Sequence, residues 1–155
     1  YDFLNEILDP CGVRQDHILM NRTTNQAGEI NGAAIHGAKI GGSITDATLL
    51  IPDPMGATGT TIETLLNHYR EQVPGTPART IALNLIVTPE YIRRITDACP
   101  GTQIYAYRLD RGLSGANVLA AAPGKYWEQE RGLNPNGYIV PGAGGFGEIM
   151  NNAFV

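Results

Sequence analysis

The sequence has few cysteines, few basic residues and no long apolar segment. Cys11 and Cys99 are its two cysteines, too few for a disulfide framework, and neither lies at a metal-ligand spacing. Its 15 aspartates and glutamates outnumber its 11 lysines and arginines, which gives a formal charge of -4. This balance argues against a nucleic-acid-binding surface, because such surfaces neutralise phosphates with clustered basic side chains.

Transmembrane and secretion signals are also missing from the sequence. No apolar run approaches the roughly 18 residues of a transmembrane helix, and no basic segment precedes an apolar stretch as it does in a signal peptide. The three histidines, His17, His36 and His68, lack the mutual spacing of a metal site or a catalytic triad. We therefore expect a cytoplasmic protein in a reducing setting, without a membrane partner and without protein ligands for a metal.

The composition is that of a folded domain. Hydrophobic residues make up 43% and charged residues 17% of the 155 residues, unlike a disordered chain. The 19 glycines and 10 prolines are spread along the sequence instead of forming a linker. One domain over residues 1–155, with many tight turns, is the expectation.

Two regions of the chain have distinct patterns before the first long apolar run. Apolar residues at helical spacing over 3–8 predict a short helix, which Pro10 and Gly12 end. Short apolar segments at 17–20 and 33–38 flank a polar stretch at 23–31. This arrangement is typical of a long β-hairpin arm.

The middle of the chain alternates apolar runs of strand length with helical patterns. Strands are predicted over 47–52, 80–87 and 103–109. The first would be buried on both faces if it is central in a parallel sheet, and the second is also expected to be buried. Pro52 should mark the end of pairing in the first strand. Helices follow the first two strands, and the second helix begins at the capping residue Thr88 with Pro89 at its first position. This order predicts an α/β fold, a parallel sheet flanked by helices.

The segment 49–61 predicts an anion site. Asp53 follows a buried strand, and a turn rich in glycine and threonine leads into a helix. Ligands of open α/β sheets bind at this edge. Glycines at 56 and 59 allow close approach of the backbone, and the N–H groups of 58–61 at the helix start, with three threonine hydroxyls, would hold a phosphate without lysines.

This loop matches neither of two common nucleotide motifs. No lysine follows the second glycine, as in a Walker loop, and the GxGxxG dinucleotide pattern is absent. One alternative is that Gly59, Thr60 and Thr61 only cap a helix. Asp53 favours the ligand interpretation, because a carboxylate at the strand end can accept hydrogen bonds from two sugar hydroxyls.

Two motifs together resemble those of one enzyme family. Asp53-Pro54-Met55 followed by Ala57-Thr58-Gly59, with the downstream run at 137–142 (Gly-Tyr-Ile-Val-Pro-Gly), is similar to the uracil phosphoribosyltransferases, a branch of the type I phosphoribosyltransferases. Asn21-Arg22 and Ala38-Lys39-Ile40 agree with further landmarks of that family. The resemblance covers most of the chain.

The resemblance implies a fold, a reaction and a set of site residues. The fold would be the type I phosphoribosyltransferase sheet with a hairpin arm. The reaction would join uracil to 5-phosphoribosyl 1-pyrophosphate (PRPP), with Mg²⁺, to give UMP and pyrophosphate. Asp53 and Arg22 would be the catalytic residues. The uracil site would include Ile139, Gly144, Gly145 and Phe146. The site for PRPP and its 5-phosphate would be Asp53, Pro54, Met55, Gly56, Ala57, Thr58, Gly59, Thr60 and Thr61.

The sequence departs from the family pattern in three places. Gly145 stands where the family has an aspartate. Residues 111–133 form an insert, with a short helix predicted at 116–122, that is either a lid or oligomer contact, or a surface excursion packed by Trp127. The family's N-terminal pyrophosphate loop is not in this sequence, so the chain is expected to be the C-terminal part of a longer family chain.

These departures keep rival functions open. The first alternative is a non-catalytic nucleotide-binding or PRPP-binding regulatory module, and the second is a transferase for another base. The implied partners are small molecules, together with a second copy in a homodimer or a companion chain that supplies the N-terminal part.

Overall fold

The computed structural model describes residues 1–24 and 30–144. The chain begins with helix α1 (Asp2–Ile7) and a 3₁₀ turn (Pro10–Gly12), followed by the hairpin arm, β1 (His17–Thr24) and β2 (Ile30–Lys39). The central part of the chain comprises β3 (Thr48–Pro52), β4 (Met55–Gly56), α2 (Thr60–Gln72), β5 (Arg79–Val87), α3 (Pro89–Ala98) and β6 (Gln103–Leu109). The insert carries α4 (Ala116–Leu119) and a 3₁₀ turn (Trp127–Gln129). The predicted helix at 116–122 is thus a single turn.

The main sheet is parallel, as the sequence predicts, with β5 at its centre. Strand β3 runs along one side of β5, from the pair Thr48 and Arg79 to the pair Pro52 and Leu83. Strand β6 runs along the other side. The short β4 lies on the same side of β5 as β3 and follows it along β5. Val87 pairs with both β4 and β6, so these two strands must lie on opposite sides of β5. The carboxyl ends of these strands therefore meet at one edge.

Helices α2 and α3 pack on one face of this sheet. A core cluster joins them to β3 and β5 through seven buried side chains, Ile51, Ile62, Leu66, Val87, Tyr91, Ile95 and Cys99. Two right-handed crossovers that advance in one direction across a sheet place their helices on the same face, and β3, β5 and β6 are laid down in that order.

The described residues leave the opposite face of the sheet uncovered. The first predicted strand, β3, is not the central one, so the condition for its burial on both faces is not met. The second, β5, is central but is buried on one face only. Leu83 and Leu85 of β5 are 37% and 50% exposed, and Tyr105 and Tyr107 of β6 are 58% and 90% exposed. Alternate side chains of a strand point to opposite faces, and helices cover only one of the two faces.

The hairpin arm is fastened at its base by Asp16. The Asp16 carboxylate accepts hydrogen bonds from Arg14 at 2.9 Å, from the Gly41 N–H at 3.0 Å and from the Tyr69 hydroxyl of α2 at 2.9 Å. Burial opposes ionisation of Asp16, but these donors hold its pKa below the ordinary value. Burial and the Asp16 charge raise the pKa of Tyr69. The arm is thus tied to α2 by an ionised carboxylate.

Among the residues that the structure describes, no helix is long and apolar enough to cross a bilayer.

Candidate functional site

The phosphate loop (residues 53–61) begins where the β3 ladder is interrupted. The Asp53 N–H donates to the Leu83 carbonyl at 2.9 Å, and the Pro54 carbonyl accepts from the N–H groups of Leu85 and Ile86, both at 3.1 Å. Pairing with β5 then resumes at Met55. The prediction that Pro52 ends the pairing of the first strand is therefore confirmed, because the last pair between β3 and β5 is Pro52 with Leu83. The prediction did not include β4, in which pairing with β5 begins again after residues 53 and 54, where Pro54 lacks an N–H.

Thr88 holds the floor of the phosphate loop from below. Its N–H donates to the Gly56 carbonyl at 3.1 Å and its hydroxyl donates to the Ala57 carbonyl at 2.6 Å. The same hydroxyl accepts the Tyr91 N–H at 3.0 Å, which confirms Thr88 as the cap of α3. Thr88 is fully buried, so these hydrogen bonds are protected from water. Two carbonyls of the loop are thereby turned inward.

The N–H groups at the start of α2 remain available to a ligand. Those of Thr58, Gly59 and Thr61 have no hydrogen-bond partner within residues 1–24 and 30–144, as expected for the first turn of a helix. The Thr60 N–H lies 3.4 Å from the Thr58 hydroxyl. Gly59 precedes α2 with φ 79°, a left-handed conformation that glycine adopts without strain. Free N–H groups at the positive end of a 13-residue helix are the arrangement that commonly binds anions.

A small pocket opens over these N–H groups. Seven predicted residues line it, together with one from the arm, Gly32, that sequence reasoning missed; the lining is Gly32, Asp53, Met55, Ala57, Thr58, Gly59, Thr60 and Thr61. Two predicted ligand residues are not part of that lining. Pro54 contributes instead to the uncovered apolar face, and Gly56 is buried, with the Tyr91 ring 3.0 Å from where a Cβ would be. Their predicted contact with PRPP stays a prediction.

Asp53 is oriented by a side chain that the sequence analysis did not single out. The Asn84 amide donates to the Asp53 carbonyl at 2.5 Å, and its own oxygen accepts the Tyr91 hydroxyl at 3.3 Å. The Asp53 carboxylate accepts the Met55 N–H at 3.2 Å. Burial, with the Asp53 charge adding to it, raises the pKa of Tyr91 to about 12. The signal for Asn84 was present: it is a polar residue in the middle of an apolar strand.

A second loop, the base loop (residues 137–144), lies against the insert. The Val140 N–H donates to the Gly132 carbonyl at 2.8 Å, and the Val140 carbonyl accepts the Gly112 N–H at 2.9 Å. Ile139 faces Leu133 in an antiparallel bridge whose hydrogen bonds are made by the neighbours of these two residues. Within the described part of the chain, the N–H and C=O of Ile139 therefore have no partner.

Val87 and Thr88, at the carboxyl end of β5, connect the two loops. Thr88 donates to the phosphate loop, and the Val87 carbonyl accepts the N–H of Asp110 at 2.8 Å. Asp110 in turn accepts the Gly142 N–H of the base loop at 2.8 Å. Both loops therefore lie at the sheet edge where ligands of α/β folds bind.

Comparison with known proteins decides the family. The sequence model described as uracil phosphoribosyltransferase matches residues 4–126, most of the chain. The chain belongs to the uracil phosphoribosyltransferase family. The matched range contains the hairpin arm and the phosphate loop, and it ends before the base loop.

Curated relatives agree with this family. The uracil phosphoribosyltransferase of Thermococcus sibiricus is 34% identical over 101 residues, which are 65% of this chain and 34% of that protein. Uracil phosphoribosyltransferase 1 of Schizosaccharomyces pombe is 30% identical over 141 residues, covering 88% of this chain and 51% of that protein. The chain thus spans about a third to a half of the length of these relatives.

A solved structure shares the fold. The AQ2163 protein from Aquifex aeolicus matches with a TM-score of 0.59 at 24% identity, over 84% of this chain and 50% of that chain. The α/β fold with its parallel sheet is therefore confirmed.

The family's remaining landmarks lie partly outside the described residues. Arg22 lies in β1, where it pairs with Ala33, and its contact with pyrophosphate stays a prediction. Gly144 is described, with φ 65°. Gly145 and Phe146 of the predicted uracil site lie outside the residues that the structure describes. Lys39 is exposed at the end of β2.

The insert at 111–133 packs on the first turns of α3. Arg93 donates to the carbonyls of Trp127 at 2.8 Å and Glu130 at 3.1 Å, and its guanidinium lies 5.2 Å from the centre of the Trp127 ring. Inside the insert, Arg111 and the fully buried Glu130 form an ion pair at 3.2 Å. These contacts favour the surface excursion packed by Trp127, while a lid or an oligomer contact stays a prediction.

No group of three histidine, cysteine, aspartate or glutamate side chains in the described ranges could hold a metal. Cys11 is exposed and Cys99 is buried, and both are unpaired. Burial raises the pKa of the Cys99 thiol, so this cysteine lacks the activation of a nucleophile.

Proposed function

We propose that this chain carries out the uracil phosphoribosyltransferase reaction, in which uracil and PRPP give UMP and pyrophosphate, a step of pyrimidine salvage. The observation that carries this proposal is the set of unpartnered N–H groups at Thr58, Gly59 and Thr61, facing the pocket that Asp53 also lines. Family membership supports the choice of substrate.

Each part of the nucleotide has a complementary part of the site. The N–H groups and hydroxyls at 58–61 hold the 5-phosphate, and the Asp53 carboxylate accepts hydrogen bonds from the ribose hydroxyls. Uracil presents alternating donors and acceptors along its edge. The backbone N–H and C=O of Ile139, with the peptide groups at Gly144, match such an edge without a charged side chain.

The reaction needs positioning more than it needs a protein nucleophile. The bond between C1 of the ribose and the pyrophosphate oxygen breaks, and the oxygen leaves with the electron pair. The N1 atom of uracil forms the new bond to C1 and releases its proton to water. The Asp53 carboxylate stabilises the positive charge that develops on the ribose, and Arg22 of the arm neutralises the departing pyrophosphate.

The residues of the phosphate pocket fit Mg²⁺ that arrives with PRPP. Asp53 is the one carboxylate in the described lining, and Mg²⁺ in phosphate-transfer sites is commonly held by one or two carboxylates together with substrate phosphates. Asp53, which the sequence analysis did not predict as a metal ligand, would be its protein ligand. Bound there, the ion would neutralise charge on the pyrophosphate leaving group.

One feature of the sequence favours an alternative from another class, a regulatory module that binds the nucleotide without turnover. Gly145 replaces an acidic residue of the family motif. The third candidate, a transferase for another base, is favoured by the end of the family match at residue 126, before the base loop.

The proposal includes a setting and an assembly. We place the protein in the cytoplasm, where its unpaired cysteines would stay reduced. The proposed assembly is a homodimer or a complex with a companion chain.

Calorimetry and a product assay on the full chain test these functions together. We expect UMP, and PRPP with Mg²⁺, to bind, uridine to bind far more weakly because it lacks the phosphate, and labelled uracil to be converted to UMP. Binding without product would favour the regulatory module. Product formed from another base but not from uracil would favour the third candidate. Equal affinity for uridine and UMP would contradict all three.

A further inference from the structure

The pair Arg108 and Asp110, at the end of β6, holds the peptide groups on both sides of one residue in the base loop. The Asp110 carboxylate accepts the Gly142 N–H at 2.8 Å, and the Arg108 guanidinium donates to the Gly142 carbonyl at 3.0 Å. The two side chains are also bonded to each other, from Arg108 Nε to Asp110 Oδ1 at 2.6 Å. One ion pair thus fixes both polar groups of Gly142.

Gly142 is the point where the base loop turns. Its φ is 63°, and a Cβ at this position would overlap the Ile139 carbonyl oxygen. Gly142 therefore lies directly against the Ile139 carbonyl, with no room for a side chain between them. The proposed function assigns the backbone groups of Ile139 to the base, so the ion pair that holds Gly142 would also hold those groups in place.

The two members of the pair differ in exposure. The Asp110 side chain is 3% exposed, whereas the Arg108 side chain is 50% exposed. Asp110 is further fixed through its N–H on Val87, at the end of the central strand. The sheet edge thus fixes the position of the Asp110 carboxylate, and the carboxylate fixes the position of the base loop. Charge-assisted hydrogen bonds of this kind are about twice as strong as neutral ones.

We propose that Arg108 and Asp110 are positioning residues that set the affinity and the selectivity of the base loop for uracil without touching the base. This inference rests on the proposed function, since it assumes that the base loop reads uracil. The inference separates base binding from phosphate binding: loss of the ion pair should weaken recognition of the base and leave the phosphate loop intact.

The substitution Arg108→Met in the full chain tests this role. It removes both guanidinium contacts at a half-exposed position of an edge strand, where folding is expected to survive. We expect the affinity for UMP to fall about tenfold, with the affinity for ribose 5-phosphate, which has no base, unchanged. The preference for UMP over CMP should shrink as well, and Arg108→Lys, which keeps a charge near Asp110, should restore part of it.

Arg131→Met is the matched control. Arg131 is an exposed arginine of the insert, and its side chain donates to the carbonyls of Glu128 and Glu130 instead of the base loop. This variant should bind UMP like the parent chain. Amide hydrogen exchange at residues 139–144 should accelerate in Arg108→Met and stay unchanged in Arg131→Met.

The outcomes separate this inference from the proposed function. If the parent chain binds UMP and Arg108→Met binds it equally well, the positioning role is overturned and the proposed function stands. Equal losses for UMP and ribose 5-phosphate would also overturn it, because they would indicate general damage. A parent chain that binds ribose 5-phosphate but does not distinguish UMP from CMP would overturn the inference together with the choice of uracil.

Discussion

The phosphate loop and the base loop lie at the same sheet edge, and they are anchored by different chemistry. Neutral groups hold the phosphate loop, namely the Thr88 hydroxyl and the Asn84 amide. Charged groups hold the base loop, through Asp110 and Arg108. The proposed ligands have the opposite character, since a phosphate is anionic and uracil is neutral. Neutral anchoring groups do not weaken the positive electrostatic potential at the start of α2, where the phosphate would bind. The charged anchoring groups of the base loop form stronger hydrogen bonds and hold that loop rigidly, and a neutral base is not repelled by them.

The largest effect should come from a charge placed in the phosphate loop. In Thr58→Glu, a carboxylate replaces a hydroxyl beside the free N–H groups and occupies or repels the anion site. We expect ribose 5-phosphate affinity to fall at least about a hundredfold, as measured by calorimetry. Thr96→Glu, at an exposed position of α3, adds the same charge away from the loop and should bind normally. A Thr58→Glu chain that binds ribose 5-phosphate like the parent would refute the anion site.

The second effect tests the neutral anchor. Thr88→Val keeps the shape of a buried side chain but removes the donor to Ala57 and the acceptor for the Tyr91 N–H. The expected cost is about 2–3 kcal/mol in the free energy of unfolding, measured with urea, together with weaker binding of ribose 5-phosphate. The same substitution at Thr96, an exposed residue of α3 whose hydroxyl donates to the Ile92 carbonyl, should cost well under half as much. Similar costs at the two positions would contradict the special role of Thr88.

A third substitution disturbs the base loop alone. In Gly112→Ala, the new methyl group would meet the Val140 carbonyl oxygen at 2.8 Å and Pro141 at 3.0 Å, so the base loop must move. We expect UMP affinity to drop several-fold, with ribose 5-phosphate affinity unchanged, in the same calorimetric assay. Gly12→Ala, with nothing within 4 Å of the new atom, is the control. An equal loss for both ligands would erase the distinction between the two loops.

The smallest effect concerns the hairpin arm. A carboxylate, Asp16, holds the base of the arm, as the Asp110 carboxylate holds the base loop. Because the pKa of Asp16 is lowered in the folded protein, its contribution to stability is present above the pKa of the unfolded chain. That contribution is lost as the pH falls through the lower, folded value. Urea unfolding at pH 7 and near pH 3 should therefore show a smaller acid loss in Asp16→Asn than in the parent chain, by about 1 kcal/mol. An identical pH dependence would mean that Asp16 does not anchor the arm.

Local signals in the sequence predicted much of the fold. Thr88 and Pro89 predict the start of α3, and the polar stretch between two apolar segments predicts the hairpin. The phosphate loop was predictable for the same reason, because glycine, threonine and a helix start act over a few residues. Each of these features depends on short-range backbone preferences.

Features that depend on the third dimension were not predictable in this way. An apolar run at 80–87 does not reveal that residues 1–24 and 30–144 leave one face of β5 uncovered, since that depends on where both crossovers place their helices. Asn84, Asp110 and Gly32 act through partners 31 or more residues away or from another element. Their roles emerge only once the strands are paired.

The resumption of pairing at β4 has a consequence for recognition. Because Met55 and Gly56 pair with β5, the chain is hydrogen-bonded to β5 both before and after Asp53. The shape of the phosphate loop is therefore set during folding. A ligand then meets a cradle that is already formed, and little conformational entropy is lost on association. Discrimination among phosphorylated sugars should accordingly follow the rigidity of the cradle more than the number of its contacts.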